Sequence, residues 1–485
     1  MKTLSFLAID LGTQSMRMSV VDSLGNRLLR WSRPVESTIT GDIFEQSPRQ
    51  WRELLLEGLE EVGRAGIQPD ALAVAAPLAG YIALDQDGEP LTPAVMYADR
   101  RSAPYLNQVE AAVASVPDAN PHGLRAYVPD PLPNFLRLRE QTPEICTRTH
   151  RLLDATGWIN CFLTGRHTLN SYTALRLYNP AVRKILDIPA DIFGKPVAIG
   201  APIGNLRPDL GQNLGLSPMP VIAATFDSKS AYIGSGIHRP GDALDISGTV
   251  TSFGVVTAEP FKDPEKRVYA VPFEADTFLG RGSNASSGGT LEWARRELLL
   301  QDFDAIDRAV ETTRAQADAP IFLPYLAGER TPLWNPDARG ALLGLSLGAS
   351  NHARIARAVY EGLSFSLRHI VEVLASQGAH TSKIFLAGGL ARNDTLCQIK
   401  ADILGMPLVR QQDTELTTVG LCTLCGMALG AWPDRSHASG IYTKTERTFF
   451  PDMSEHAIHN INFRRYLAFS SALAPTFRPT EGTGA

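Results

Sequence analysis

Apolar and polar positions along the chain switch between a two-residue and a 3.6-residue period, and the switch recurs in each half. Near the start, Phe6-Leu7-Ala8-Ile9 is an apolar run that ends on Asp10, passes a Gly12-Thr13 turn and resumes as a second strand-like run. Strands centred on Ala8, Met18 and Leu29 predict a three-stranded meander over 6–32, with Asp22-Ser23-Leu24-Gly25-Asn26 as its second turn. Trp51, Leu54, Leu55, Leu59 and Val62 then recur at helical spacing and predict a helix over about 48–65. Short buried strands follow at 71–76 and 81–84. The proline-rich stretch 118–133 predicts irregular backbone, with helices resuming near 134–140 and 155–163.

The second half repeats the opening. A buried strand at 220–224 ends at Phe226-Asp227-Ser228, and Ile237-His238-Arg239-Pro240-Gly241 reads as a boundary. Beyond it, Ala243-Leu244-Asp245-Ile246 leads through Ser247-Gly248-Thr249 into another strand-like run. Helix is predicted over 291–300 and 353–377, and strand at 321–323 and 383–386, the last running into Ala387-Gly388-Gly389. Two α/β domains are therefore expected, 1–237 and 238–485, each opening on one strand-turn-strand unit.

Composition narrows the function classes. The 485 residues are 44% hydrophobic, enough for two real cores. A net charge of -5 with no basic block disfavours a nucleic-acid partner. The N-terminus runs straight into a strand and lacks a signal-peptide pattern, and no apolar stretch reaches the ~18 residues a membrane span needs. A cytoplasmic chain without a membrane partner is expected, as monomer or homodimer. Cys422 and Cys425 form a C-x-x-C inside a small-residue apolar run, with no second Cys or His pair at zinc spacing. They read as core residues.

The chemistry sits at the turns. Glycine lets turn backbone approach a ligand, and successive turn N–H groups make an anion nest. Asp10 beside such a turn makes sense if Mg²⁺ lies between it and a phosphate, and Arg17 could neutralise phosphate charge. An ordinary hairpin with a turn Asp has the same residues. Asp227, just past a buried strand, suits a general base for a hydroxyl nucleophile, or equally a cap for the helix that follows. Gly388-Gly389 would let a flat ring lie against backbone, and Asn393 could bond a base or cap a helix. No G-x-x-x-x-G-K-[ST] run exists, and no G-x-G-x-x-G follows the first strand, so P-loop and Rossmann readings fail. One G-x-S-x-G occurs at 344–348, but Ser346 lacks the strand-turn-helix setting of a nucleophile elbow.

Together these residues resemble the FGGY carbohydrate kinases of the actin-like ATPase superfamily, over nearly the whole chain and in the family's motif order. Ile9-Asp10-Leu11-Gly12-Thr13-Gln14-Ser15 is similar to the first phosphate loop, and Glu45-Gln46-Ser47-Pro48 with Trp51 to the E-Q-x-P-x-x-W element. Tyr97-Ala98-Asp99-Arg100-Arg101 resembles the W-x-D-x-R segment, with Tyr97 replacing Trp. Ser247-Gly248-Thr249 resembles the second phosphate loop. Leu323-Pro324-Tyr325-Leu326-Ala327-Gly328-Glu329-Arg330-Thr331-Pro332 is close to a run of xylulokinase-like members. Gly388-Gly389 with Asn393 resembles the adenosine segment.

The resemblance implies an α/β fold of two actin-like, ribonuclease H-like domains, each a mixed five-stranded sheet with flanking helices, and ATP in the cleft between them. It implies ATP contacts at Gly12, Thr13, Gln14, Arg17, Gly248, Thr249, Gly288, Glu292, Gly388, Gly389 and Asn393, with Mg²⁺ near Asp10. It implies Asp227 as the base that activates a hydroxyl of a small sugar, polyol or sugar acid. Acceptor contacts would fall at Ala79, Gly80, Asp99, Arg100, Asp227 and Ser228. The departures lie on the acceptor side. Pro77-Leu78-Ala79-Gly80 stands where xylulokinases have Gln-Met-His-Gly, and Asn134 and Arg137 stand where the family pattern has Lys and Trp. An actin-like ATPase without a sugar acceptor, or a sugar-binding regulator that keeps the fold, are the alternatives. The first would show ATPase activity indifferent to any sugar, and the second would need no intact phosphate loops.

Overall fold

The structure, a computed structural model, describes residues 3–274, 276–347, 350–412 and 415–477. Gly348 of the G-x-S-x-G run lies outside the described residues. The chain divides into two compact units: Met1–Gly236 with Glu415–Thr443, and Ile237–Thr414 with Lys444–Ala485.

Each unit is built on the same sheet order. In the first, Ser5–Leu11 pairs antiparallel with Ser15–Asp22, which pairs antiparallel with Arg27–Pro34. On its other side Ser5–Leu11 pairs parallel with Ala71–Ala75, and that strand pairs parallel with Pro220–Ile222. In the second unit Asp242–Ser247, Thr251–Thr257 and Thr277–Asn284 form the antiparallel meander. Lys383–Ala387 and Leu408–Gln411 form the parallel side. The expected five strands are therefore the kernel of each sheet, but the count needs correcting. The first sheet has six strands, with Pro202–Asn205 added antiparallel at one edge. The second has seven, with Tyr269–Glu274 and Thr445–Phe449 closing both edges. Edge strands of this kind cover N–H and C=O groups that would otherwise offer themselves to another chain. The first unit carries a further five-stranded sheet of Ser37–Thr40, Ile43–Gln46, Ala94–Met96, Ala79–Leu84 and Arg151–Leu153.

The helices follow the apolar spacing. Pro48–Arg64 starts at Ser47, whose hydroxyl accepts the Gln50 N–H, and it buries Trp51, Leu54, Leu55, Leu59 and Val62 against the first sheet's core. His352–Ser376 does the same in the second unit. The segment expected as helix over 291–300 is an α-turn, Gly288–Trp293, continued by a π-helix over Ala294–Leu299.

Residues 415–443 were expected within a contiguous second domain; they pack with the first unit instead. Their helix, Leu416–Ala428, crosses Asp227–Gly234 at two glycines. A Cβ on Gly234 would stand 1.9 Å from the Leu416 carbonyl oxygen, and one on Gly420 would stand 2.0 Å from that of Ser230. Only bare backbone permits that approach. Cys422 and Cys425 lie fully buried in this helix as free thiols, which bears out the core reading. No helix among the described residues is long and apolar enough to cross a membrane.

One buried group makes the second core acid-sensitive. His459, 0% exposed on helix Met453–Leu473, packs edge-on to Phe365 with ring centroids 6.0 Å apart. Neither ring nitrogen has a hydrogen-bond partner among the described residues. Burial, with Arg357, His456 and Arg368 nearby, pushes its pKa down to about 3. A base whose pKa falls on folding contributes stability that is complete above its unfolded pKa, about 6.5, and is lost as pH falls toward about 3. The buried carboxyls of Asp130 and Asp154, raised to about 6, act with the opposite sign. The test is therefore a comparison at matched pH. His459→Leu is expected to lose less Tm than wild type between pH 7 and pH 4.5 in thermal melts, and parallel Tm-versus-pH curves would refute this origin of acid sensitivity.

Candidate functional site

The first turn is set by backbone and held by a side chain from another sheet. Asp10 pairs with Arg17 across the hairpin, and the Gly12 N–H donates to the Ser15 carbonyl at 2.8 Å. Behind the turn, Gln46 (3% exposed) donates through Nε2 to the Thr13 carbonyl at 2.9 Å and to Ser37 Oγ at 2.9 Å. Its Oε1 accepts the Trp51 indole N–H at 3.1 Å. Every hydrogen-bonding group of the amide except one lone pair is thereby committed. Gln14 and Arg17 are exposed beyond it.

Asp10 and Asp227 converge electrostatically. The Asp227 N–H donates to the Ala76 carbonyl at 2.9 Å, which fixes the start of helix Asp227–Gly234 on the end of strand Ala71–Ala75. Asp227 Oδ1 accepts the Ser228 N–H at 2.5 Å. Asp10 is buried, and burial raises its pKa to about 7; Arg17 at 3.3 Å opposes the rise, while the charges of Asp227 and Glu415 add to it. A carboxyl so placed gains from a nearby cation. A hard divalent ion that takes one or two carboxylates and completes its shell with phosphate oxygen and water fits this donor set. No group of three His, Cys, Asp or Glu side chains able to hold a metal by themselves occurs among the described residues.

The acceptor-side residues are placed differently from one another. Ala79 (2% exposed, φ 76°) and Gly80 (φ 69°) form a left-handed bulge where Ala79 pairs with Met96. Asp99 (2% exposed) turns inward: it accepts the Phe44 N–H at 2.9 Å and Arg101 Nη2 at 2.7 Å. Arg101 also reaches Glu45 at 2.5 Å. Asp99 thus ties the turn after strand Ala94–Met96 to strand Ile43–Gln46, while Arg100 beside it is exposed. The Arg137 Nε is buried without a hydrogen-bond partner among the described residues, and burial lowers its pKa.

Sequence reading missed a buried polar cluster next to Asp227. Tyr172 packs on Phe226 at 4.8 Å and accepts Arg176 Nη2 at 2.8 Å. Arg176 also meets Asp130 at 3.4 Å, and Lys229, itself buried, lies 5.9 Å from the Tyr172 ring centroid. Asp154 caps the helix Ala155–Thr164 through the Gly157 N–H and takes Asn170 at 2.7 Å. Asp130 before Pro131 and Asp154 before Ala155 are N-cap patterns, the one signal that could have flagged them.

In the second unit three glycine turns meet. Gly288 N–H donates to the Gly248 carbonyl at 2.9 Å and Gly289 N–H to that of Thr249 at 3.1 Å. Gly388, at φ 84°, lies so close to Ser247 that a Cβ would stand 2.4 Å from its carbonyl oxygen. By contrast, a Cβ on Gly389 would enter open space, and one on Gly248 would meet the Val250 carbonyl oxygen only at an ordinary contact distance of 3.9 Å. Beneath the turn, Lys400 Nζ bridges Asp245 at 2.6 Å and Ser247 Oγ at 2.9 Å, all buried. Two residues expected at the nucleotide have partners within the protein. Asn393 caps helix Asp394–Leu404 and donates to Asp307 and Tyr360. Glu292 is paired with Arg295 at 2.6 Å.

Both halves of the chain match known proteins. The N-terminal domain of the FGGY family of carbohydrate kinases matches residues 5–234, and its C-terminal domain matches residues 244–429. A xylulose kinase of Staphylococcus epidermidis is 26% identical over 95% of both chains. A glycerol kinase of Dechloromonas aromatica is 28% identical over 76% of both. The crystal structure of a gluconate kinase from Lactobacillus acidophilus superimposes with TM-score 0.90 at 21% identity, covering 98% of this chain and 99% of that one. With both family domains matched in order on a duplicated actin-like sheet, the chain belongs to the FGGY family of carbohydrate kinases, and it is a carbohydrate kinase that phosphorylates a sugar or polyol with ATP.

Proposed function

We propose that Asp227 is the general base that takes the proton from an acceptor hydroxyl as that oxygen attacks the γ-phosphate of ATP. The reading is supported by the placement of Asp10 near the end of strand Ser5–Leu11 and of the Asp227 N–H on the Ala76 carbonyl, just past the neighbouring strand Ala71–Ala75, with the Asp227 charge adding to the burial that raises the Asp10 pKa. Asp227 opens the helix rather than capping it from outside, since Phe226 is the residue at the cap. The transition state of phosphoryl transfer is loose, so the protein acts mainly by positioning and by stabilising charge. The Gly12-Thr13 turn and Arg17 present donors to phosphate in the first unit. The Gly248-Thr249 turn does so in the second, backed by the Gly288 and Gly289 N–H groups on its carbonyls, and Gly389 would lie bare against the adenosine. Mg²⁺, held by Asp10 directly or through water, would neutralise charge on the phosphates.

The acceptor follows from Ala79. Its methyl group occupies the place of a polar residue in xylulokinases, and the left-handed backbone there leaves a β-branched or bulky residue strained. A substrate hydroxyl facing Ala79 would be buried without a partner. We read the acceptor as a small polyhydroxylated chain other than D-xylulose or glycerol, with an apolar or missing group at that point.

Asp227→Asn is expected to lower kcat by ~10²–10⁴ while ATP affinity survives; steady-state kinetics beside calorimetric ATP titration decide it, and activity within a few-fold of wild type would remove Asp227 from the mechanism. Gly248→Val and Gly389→Val should weaken ATP binding with little change in Tm, because a Cβ at either position meets no clash within the protein; unchanged affinity in a folded variant would show that ATP lies elsewhere. Across a panel of ketoses, polyols, deoxy sugars and sugar acids, D-xylulose and glycerol should lose about 5- to 150-fold in kcat/KM, the cost of one unpaired buried hydroxyl at about 1–3 kcal/mol. If either is best by a wide margin, the Ala79 argument is wrong.

A further inference from the structure

The run Tyr325-Leu326-Ala327-Gly328-Glu329-Arg330-Thr331 holds a carboxylate that the phosphoryl-transfer reading leaves without a task. Glu329 is 4% exposed and reaches into the segment that backs the second turn. Its Oε1 accepts the Ala285 N–H at 2.8 Å and the Arg330 N–H at 2.8 Å. Its Oε2 accepts Ser366 Oγ at 3.3 Å. Ser366 in turn accepts Asn284 Nδ2 at 3.2 Å, and Asn284 Oδ1 accepts the Thr251 N–H at 3.2 Å. Thr331 adds a second tie through Ser283, its hydroxyl donating to the Ser283 carbonyl at 2.6 Å.

The far side of this segment touches the turn itself. Ser287 Oγ lies 2.8 Å from Thr251 Oγ1, and the Gly288 and Gly289 N–H groups bond the Gly248 and Thr249 carbonyls. Residues 283–289 are therefore clamped between Glu329 and the turn. The Gly248-Thr249 backbone rests on them through the Gly288 and Gly289 N–H groups, and on Ser247, whose hydroxyl Lys400 holds.

We infer that Glu329 is a positioning residue for nucleotide binding: through Ala285 and the Ser366–Asn284 relay it sets the height of the Gly288-Gly289 backbone and so the aim of the Gly248-Thr249 turn. This rests on the proposed placement of ATP at that turn. The groups facing Glu329 are Arg330 beside it, Ser366 from helix His352–Ser376, and the buried hydroxyls of Tyr325 and Tyr466, which bond each other at 2.7 Å. Burial raises the Glu329 pKa to about 7 against the opposing N–H groups of Ala285 and Arg330, Ser366 and the Arg330 charge, so the carboxylate that accepts both N–H groups is present in full only above that pH.

The test needs no acceptor. Bind MgATP to wild type, Glu329→Gln, Ser366→Ala and Gly248→Val by calorimetry between pH 6 and pH 8.5, with thermal melts and amide hydrogen exchange over 283–289. Glu329→Gln should weaken ATP about tenfold at pH 8, speed exchange in that segment and leave Tm within a few degrees. Wild-type affinity should fall more steeply than the variant's as pH drops through 7; the terminal phosphate of ATP titrates alike in both, so the difference reports Glu329. A folded Glu329→Gln with ATP affinity within twofold of wild type overturns the inference. If that variant does not fold, Ser366→Ala takes its place: a two- to fivefold loss supports the inference and no loss overturns it. Gly248→Val separates the two ideas. If it binds ATP normally, the placement of ATP fails; if it loses ATP while Glu329→Gln does not, only the role of Glu329 fails.

Discussion

A turn that offers N–H groups to a phosphate can spend only some of them on holding itself in place: Gly12 and Gly248 give theirs to the Ser15 and Val250 carbonyls, so a donor aimed at a ligand has to come from elsewhere in the turn. That constraint shapes both units. The outward donors must stay unpaired, so the carbonyls and flanking residues must be tied from behind by groups that are themselves buried and fully bonded. In the first unit Gln46 provides this, with one amide bonded to Thr13, Ser37 and Trp51. In the second, Lys400 joins Asp245 to Ser247 directly under the turn. A buried pair of this kind adds little net stability, because desolvation offsets the attraction, but losing one partner leaves an uncompensated charge. Its value is in fixing geometry.

The glycines divide into two kinds under the same constraint. Gly388 and Gly288 are needed because backbone packs on backbone, and a Cβ at either would collide with Ser247 or Gly248. Gly248 and Gly389 have no such collision, so nothing in the protein itself forbids a side chain there. Glycine at a position where the fold would accept alanine points to something outside the chain that must come close. Gly234 and Gly420 belong to the first kind and hold a late helix against the first unit.

Charge follows a similar logic on the acceptor side. Asp99 and Arg101 satisfy each other and tie their turn to strand Ile43–Gln46, which leaves both Asp99 oxygens engaged. Asp10 is a different case: burial raises its pKa, Arg17 opposes the rise, and the charges of Asp227 and Glu415 add to it. Such a group gains from a cation or a proton, a property it shares with the buried carboxyls of Asp154 and Glu329, which the protein uses to hold backbone.

The sequence by itself determined the elements and their duplication. Strand-turn-strand at 6–17 and at 243–253, the periodic helices 48–65 and 353–377, and the Gly-Thr and Gly-Gly turns were all legible, because period and turn chemistry are local properties. Tertiary structure decided the rest. The edge strands that make six and seven from five are short and carry weak patterns, so only their partners define them. Residues 415–443 join the first unit through two glycine contacts that no local signal announces. The same holds for Lys400 on Asp245, 155 residues apart, and for Glu329 on Ala285, 44 apart. Whether Asp99 faces a ligand or a neighbouring strand, and whether Asn393 holds a base or a helix end, depends on which donors the fold brings within about 3 Å, and local sequence carries no information on that distance.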